Sequence, residues 1–176
     1  MRIAHVVSTY PPYHGGMGNV AREIAGRVSV QGAEVMVVTP AWVAGKEVRA
    51  VRAAVRFGNA AWCPGIRRVL EEIAPDVVHL HWPFIGGIAP VLAWRRGDAS
   101  RRLVVQYHMD LIAGGWRGAV FAAYQRWALP RMLAVADRVV VSSVDYAQHG
   151  ALAPYLAALG ERLMEIPLGV DVKRFV

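Results

Sequence analysis

Three histidines and a glycine pair are the residues of this chain whose types and spacing could do chemistry. Gly15-Gly16 lies inside Ser8-Thr-Tyr-Pro-Pro-Tyr-His-Gly-Gly-Met-Gly-Asn19. Before it, Ile3-Ala-His-Val-Val7 is a short β-branched run that reads as a buried strand. After it, Met17, Val20, Ala21, Ile24, Ala25 and Val28 make one apolar face of a helix. The first N–H groups of a helix are unpaired and its dipole favours anions, so a phosphate is a natural guest there. Glycines let backbone approach such a guest closely, where a Cβ would block it.

The histidines follow at His79 and His81, two apart on one strand and so on one face, and at His108 on the end of another strand. His79 and His81 could open a metal site with His108 or Asp110 as a third ligand. No cluster of acidic residues accompanies them, and no metal is expected. His108 can donate a hydrogen bond at neutral pH or cap backbone groups at its strand end. Asp110 has two readings, a ligand hydroxyl or a cap on its own loop. Ser143 reads as an N-cap, and Asn19 as a phosphate contact or a solvent-facing residue. Gly16-Met-Gly18-Asn-Val-Ala21 fits the dinucleotide fingerprint by letter. It fails by context, because Ser8 to Gly15 separate it from its strand. The second strand, Glu34–Thr39, ends in Thr39-Pro40 with no carboxylate for a ribose.

The elements that must position these groups alternate along the chain. Further strands are expected at Val77–His81, Leu103–His108, Arg138–Ser142 and Leu163–Ile166, with a short one near Val48–Val55. Helices are expected after Pro64, over Gly87–Arg95, and from Trp116 to Ala136, where Pro130 should kink or restart the helix. Alternation with continuous apolar strands predicts an α/β fold, a Rossmann-like parallel sheet with helices on both faces. Ligands bind such sheets outside the carboxyl ends of the strands. Tyr10–Gly16, His79–Pro83, His108–Asp110 and Ser142-Ser143 all fall on that edge.

The chain is 55% hydrophobic and 19% charged, which excludes disorder and fits one globular domain. Cys63 is the single cysteine, so no internal disulfide forms and a reducing, cytoplasmic setting is expected. The first residues lack a signal-peptide core, and no run reaches the roughly 18 apolar residues of a membrane span. The net charge of +7 is carried mainly by arginine. The arginines are scattered and none interleaves with aromatics in an RNA-binding pattern, so no nucleic-acid partner is expected. Phosphorylated substrates or an anionic membrane surface suit the charge as well.

Five segments then line up: Pro11-Pro-Tyr-His-Gly-Gly16, Pro75-Asp-Val-Val-His-Leu-His81, Tyr107-His-Met-Asp-Leu111, Ala136-Asp-Arg-Val-Val-Val-Ser-Ser143, and Ile166-Pro-Leu-Gly-Val-Asp171 with Arg174-Phe175. In order and spacing they resemble the amino-terminal domain of family 4 retaining glycosyltransferases, enzymes of the two-domain GT-B fold. The resemblance covers essentially the whole chain. It implies that residues 1–166 form the acceptor-side domain and that 167–176 begin the interdomain linker. The donor-binding second domain, with its E-x7-E signature, is then absent from this sequence, and the isolated domain is expected to be inactive. The implied partners are a nucleotide-diphosphate sugar donor and a glycan or lipid-linked acceptor, with no cofactor. Gly15 and Gly16 would meet the donor phosphates and His108 the reacting sugar. Tyr10, His81 and Asp110 are the candidate acceptor-binding groups, with His79 buried and hydrogen-bonded beneath them. A helix-terminus contact with an anion contributes about 0.3–1 kcal/mol, up to about 2 when partly buried. That is too little to drive transfer, so the second domain must supply most of the stabilisation.

Trp116, Phe121, Tyr124 and Trp127, among Arg117, Arg126 and Arg131, read either as core packing or as a peripheral surface at the inner face of a membrane. Two alternatives to the transferase stay open: a non-catalytic module binding phosphate or glycan, and a hydrolase with a divalent ion at His79, His81 and His108.

Overall fold

Short β-branched runs separated by amphipathic ones give nine strands and six α-helices among the described residues of a computed structural model, which are 1–13, 15–40, 45–57 and 60–169. His14 of the first motif and Val170, Asp171, Arg174 and Phe175 of the last lie outside them, as does most of the expected linker. The order is β1 (Arg2–Val6), α1 (Gly16–Val30), β2 (Glu34–Thr39), β3 (Val48–Ala50), β4 (Val55–Phe57), β5 (Ala60–Trp62), α2 (Ile66–Ile73) and β6 (Val77–Trp82). It continues with α3 (Ile88–Arg96), β7 (Arg102–Tyr107), α4 (Gly115–Leu133), β8 (Arg138–Val141), α5 (Val144–Gln148), α6 (Leu156–Leu159) and β9 (Leu163–Glu165).

Seven strands form one parallel sheet in the order β3-β2-β1-β6-β7-β8-β9. The chain runs outward from β1 in one direction and from β6 in the other. Their junction is therefore the switch point, where ligands bind open α/β sheets. Alternation decides what each face carries. Ala4, Val6, Val78, Leu80, Leu103 and Val105 turn to the larger core, which takes Ile66 and Leu70 of α2, Ile88 and Val91 of α3, and Leu129 and Met132 of α4. Val7 of the opposite face packs with Ala21 and Ala25 of α1 and with Val35 and Val37 of β2. The histidines share that second face.

Three details differ from expectation. The Val48–Val55 segment divides into β3, on the sheet edge, and β4, which pairs antiparallel with β5 in a separate hairpin. Pro130 does not restart its helix, since α4 runs through it to Leu133. A proline inside a helix costs about 3 kcal/mol, but Leu129, Met132 and Leu133 are each 4% exposed or less, and burying such side chains stabilises by about 1.5–3 kcal/mol apiece. The aromatic stretch is also split. In the second half of α4 Ala128, Leu129, Met132 and Leu133 are core but Trp127 is 42% exposed, and Trp116 and Val120 in the first turns are 68% and 54% exposed.

Gly18, in the first turn of α1, sets the approach of that helix to the loop before it. A Cβ there would stand 2.7 Å from the Thr9 carbonyl oxygen and 3.0 Å from its carbon. Backbone cannot yield as a flexible side chain would. Gly18→Ala is therefore expected to lose about 1–3 kcal/mol to overpacking, offset by no more than about 1 kcal/mol of helix propensity. Thermal melts check this, with a lower Tm expected; an unchanged or higher Tm would show that the loop gives way.

Candidate functional site

A cavity of about 460 Å³ opens at the carboxyl ends of the central strands. Ser8, Thr9, Tyr13 and Gly15 of the β1–α1 connection and Gly16 and Met17 of the start of α1 form one wall. Pro83 and Ile85 come from the loop after β6, and Met109, Leu111 and Ala113 from the loop after β7. Arg117 and Phe121 close it from the first turns of α4. Three loops of the switch point thus build one site, polar along the glycine wall and apolar opposite.

The glycine wall lies at the start of α1. Gly15 caps α1 in extended conformation with no side-chain hydrogen bond, and the first turn has no acidic residue. The first closing bond runs from Asn19 N–H to the Gly15 carbonyl at 3.1 Å. A Cβ on Gly16 would meet nothing within 4 Å, whereas one on Gly15 would meet the Tyr13 ring at 2.9 Å. Among the described residues no side chain caps these first amides, and amides left open can receive an anion.

Alternation on three adjacent strands gathers the histidines beside this wall. His5 of β1 is the register partner of His79 of β6, His81 lies two residues further along β6, and His108 follows β7. His5 Nδ1 and His81 Nε2 are 3.1 Å apart, and His81 Nδ1 and His108 Nε2 are 2.9 Å apart. The His81 and His108 rings are tilted by only 16°. His5 and His81 have no accessible surface, whereas His108 is half-buried. The Nε2 atoms of His5 and His79 are buried without a partner among the described residues. Burial lowers His5 and His108 to about 4. Burial, then the nearby His5 and His108, lowers His79 to about 3. His81 is held well below the usual imidazole value by burial and its three neighbours. All four rings are neutral at pH 7.

One donor nitrogen from each of His5, His79 and His81 can be chosen so that all lie within 4.8 Å of one another. Tetrahedral zinc at about 2.0–2.1 Å holds its ligands roughly 3.4 Å apart, and a ligand taken from His5 Nδ1 or His81 Nε2 would give up the hydrogen bond between them.

The remaining candidates fall as follows. The pair on β6 reverses the expected burial, with His81 fully enclosed and His79 partly exposed. Asp110 lies outside the cavity wall: its Oδ1 accepts from the Tyr107 hydroxyl and, at 3.1 Å, from the Ala151 N–H, tying the loop after β7 to the turn after α5. Tyr10 packs on the Val7 and Ala21 cluster. Ser143 caps α5, its Oγ accepting from Tyr146 N–H at 3.3 Å, and Asn19 is exposed. Sequence reading missed His5, Tyr13, Met109 and Arg117. For His5 the signal was its parity with Val7 on the strand entering the glycine loop.

Comparison with known proteins places this architecture. The family described as Glycosyltransferase Family 4 matches residues 14–174. No curated protein matches the sequence. Among solved structures, the catalytic domain of starch synthase IV from Arabidopsis thaliana, bound to ADP and acarbose, superposes with a TM-score of 0.64 at 14% identity, over 99% of this chain and 52% of that one. An alpha-glucosyltransferase in complex with UDP and a 13-mer DNA gives 0.57 at 13% identity, over 99% and 42%. CetZ from Methanosaeta thermophila gives 0.50 at 15%, over 98% and 56%. At such identities the likeness is one of fold, and the chain spans about half the length of these structures.

Proposed function

The chain belongs to Glycosyltransferase Family 4, and from that premise we propose that it is the acceptor-side domain of a retaining enzyme. A nucleotide-diphosphate sugar is the donor, and a second domain across the cleft holds most of it. Residues 1–166 are the working domain, 167–176 lead to the second, and the domain alone does not transfer. The observation that carries this reading is the cavity at the switch point, bounded by the uncapped start of α1. Retaining transfer leaves negative charge on the departing diphosphate and positive charge at the anomeric carbon. Amides already aimed at that place stabilise the diphosphate without reorganising. His108, neutral at pH 7, orients an oxygen of sugar or acceptor by hydrogen bonding and is not charged enough to serve as an acid. His81 acts through His108, Asp110 by holding the loop after β7, and Tyr10 by supporting the glycine wall.

The acceptor has an apolar part. Pro83, Ile85, Met109, Leu111 and Phe121 line the wall opposite the glycines, and Ile112, Trp116 and Val120 continue the apolar surface outward. Helix α4 carries Arg117, Arg126 and Arg131 and no acidic residue. Aromatic and basic groups together suit an anionic membrane surface, so we place the enzyme at the inner face of a membrane with a lipid-linked acceptor. No helix among the described residues is long and apolar enough to cross a membrane.

The test compares the complete polypeptide of the gene with the 176-residue chain, each given nucleotide-diphosphate sugars and lipid-linked acceptors in anionic vesicles. The complete polypeptide should transfer with retained anomeric configuration, read by proton NMR of the product. The short chain should sediment with the vesicles and release nothing. An inverted product would overturn retention, and diphosphate binding without transfer would favour a binding module. Sedimentation unchanged in Trp116→Ser would remove the membrane contact.

A further inference from the structure

The hydrogen-bonded row His5–His81–His108 has a direction, and its far end decides which. In neutral imidazoles each ring carries one proton, so the two bonds must run the same way. Either His5 Nδ1–H donates to His81 Nε2 and His81 Nδ1–H donates to His108 Nε2, or both bonds are reversed. The first arrangement leaves a bare lone pair on His5 Nε2, and the second leaves an N–H there. That atom is buried with no partner among the described residues; for buried backbone groups an orphaned N–H is rarer than an under-satisfied acceptor, and the same preference applied to the ring favours the bare lone pair. The near coplanarity of the His81 and His108 rings, with their nitrogens 2.9 Å apart, puts the second bond in the plane where an imidazole lone pair lies.

We propose that His5 and His81 are positioning residues that lock His108 as its Nδ1–H tautomer, so that beside the cavity it presents a hydrogen-bond donor to an oxygen of the ligand. His5 and His81 are fully buried and do not line the cavity, while His108 keeps part of its surface and adjoins Met109 of the cavity wall. The tautomer has no room to relax by protonation, because burial keeps His5 and His108 neutral at pH 7. The oxygen that meets His108, a sugar hydroxyl or a phosphate oxygen, rests on the transferase reading. The tautomer does not, and the two can fail separately.

The experiment is long-range proton–nitrogen correlation NMR on the 176-residue chain with 15N-labelled histidine at pH 7, together with metal analysis of the same sample. His108 should show a protonated Nδ1 and a bare Nε2. Asparagine places an amide N–H near the position of a histidine Nδ1, so His5→Asn should keep that pattern. His5→Phe should return a mixture of tautomers. In the complete polypeptide His5→Phe should lower kcat roughly tenfold, the lower end of what outer-shell orienting partners cost, with His5→Asn within about threefold of the parent. A protonated Nε2 on His108 in the parent chain would overturn the proposal, as would an unaltered tautomer in His5→Phe. So would stoichiometric zinc or another bound metal, which would take the lone pairs of His5 and His81 out of the row. A locked tautomer in a complete polypeptide that transfers no sugar would sustain the row and refute the transferase reading.

Discussion

Valine in place of Gly16 should cut donor use by the complete polypeptide about 10²–10³-fold, the range seen when a preorganised donor to a developing anion is lost, and leave its thermal midpoint nearly unchanged. Gly16 permits this separation because, among the described residues beyond its own helix and chain neighbours, its Cβ would meet nothing within 4 Å. Nor does the helix oppose the change, since valine is a slightly better helix former than glycine. The added carbons would instead stand over the uncapped amides of α1, where the diphosphate must come. The neighbouring glycines do not separate the effects so cleanly. At Gly18 the new atom runs into Thr9 backbone, and at Gly15 into the Tyr13 ring. The check is kcat/KM for the nucleotide sugar beside a thermal melt. Activity falling only as far as Tm falls, or not falling at all, would take the donor away from this wall.

That contrast also shows what the sequence made legible. Periodicity located six strands of the main sheet within a residue or two, because fully buried parallel strands are continuous β-branched runs. The glycine wall was legible because a strand, a glycine pair and an apolar helix face stand in line. The role of Gly18 was not, since close approach to Thr9 depends on how the intervening loop folds back. Nor could the histidine row be read. Parity puts His79 and His81 on one face, but only the register of β1 against β6 adds His5, and only the ladder to β7 adds His108. Burial of His81 over His79 likewise depends on what α1 and the loops cover. Asp110 shows the same limit, its partner Ala151 lying 41 residues away. Short-range pattern predicts elements, and pairing between distant strands decides which side chains meet.

The buried imidazoles should make this domain acid-labile well above the range where carboxylates titrate. Above pH about 6.5 neither folded nor unfolded chain binds protons at these rings, and stability is at its plateau. As pH falls through that value the unfolded chain takes up protons, while His5 and His108 in the folded domain stay neutral until about 4 and His79 until about 3. The unfolded state then binds more protons, so stability falls with falling pH, by up to about 1.4 kcal/mol per pH unit for each such ring. Two rings give about 3 kcal/mol per unit, and four about twice that, against a total of about 5–15 kcal/mol for a typical domain. Unfolding is therefore expected near pH 5, before most carboxylates are protonated. Denaturant titrations from pH 7.5 to 5 check this through the slope of unfolding free energy with pH. His5→Asn should lower that slope by about one ring's share, whatever it does to stability at pH 7. A flat profile down to pH 5 would mean that the four rings take up protons within the fold, and the neutral row behind His108 would be lost with it.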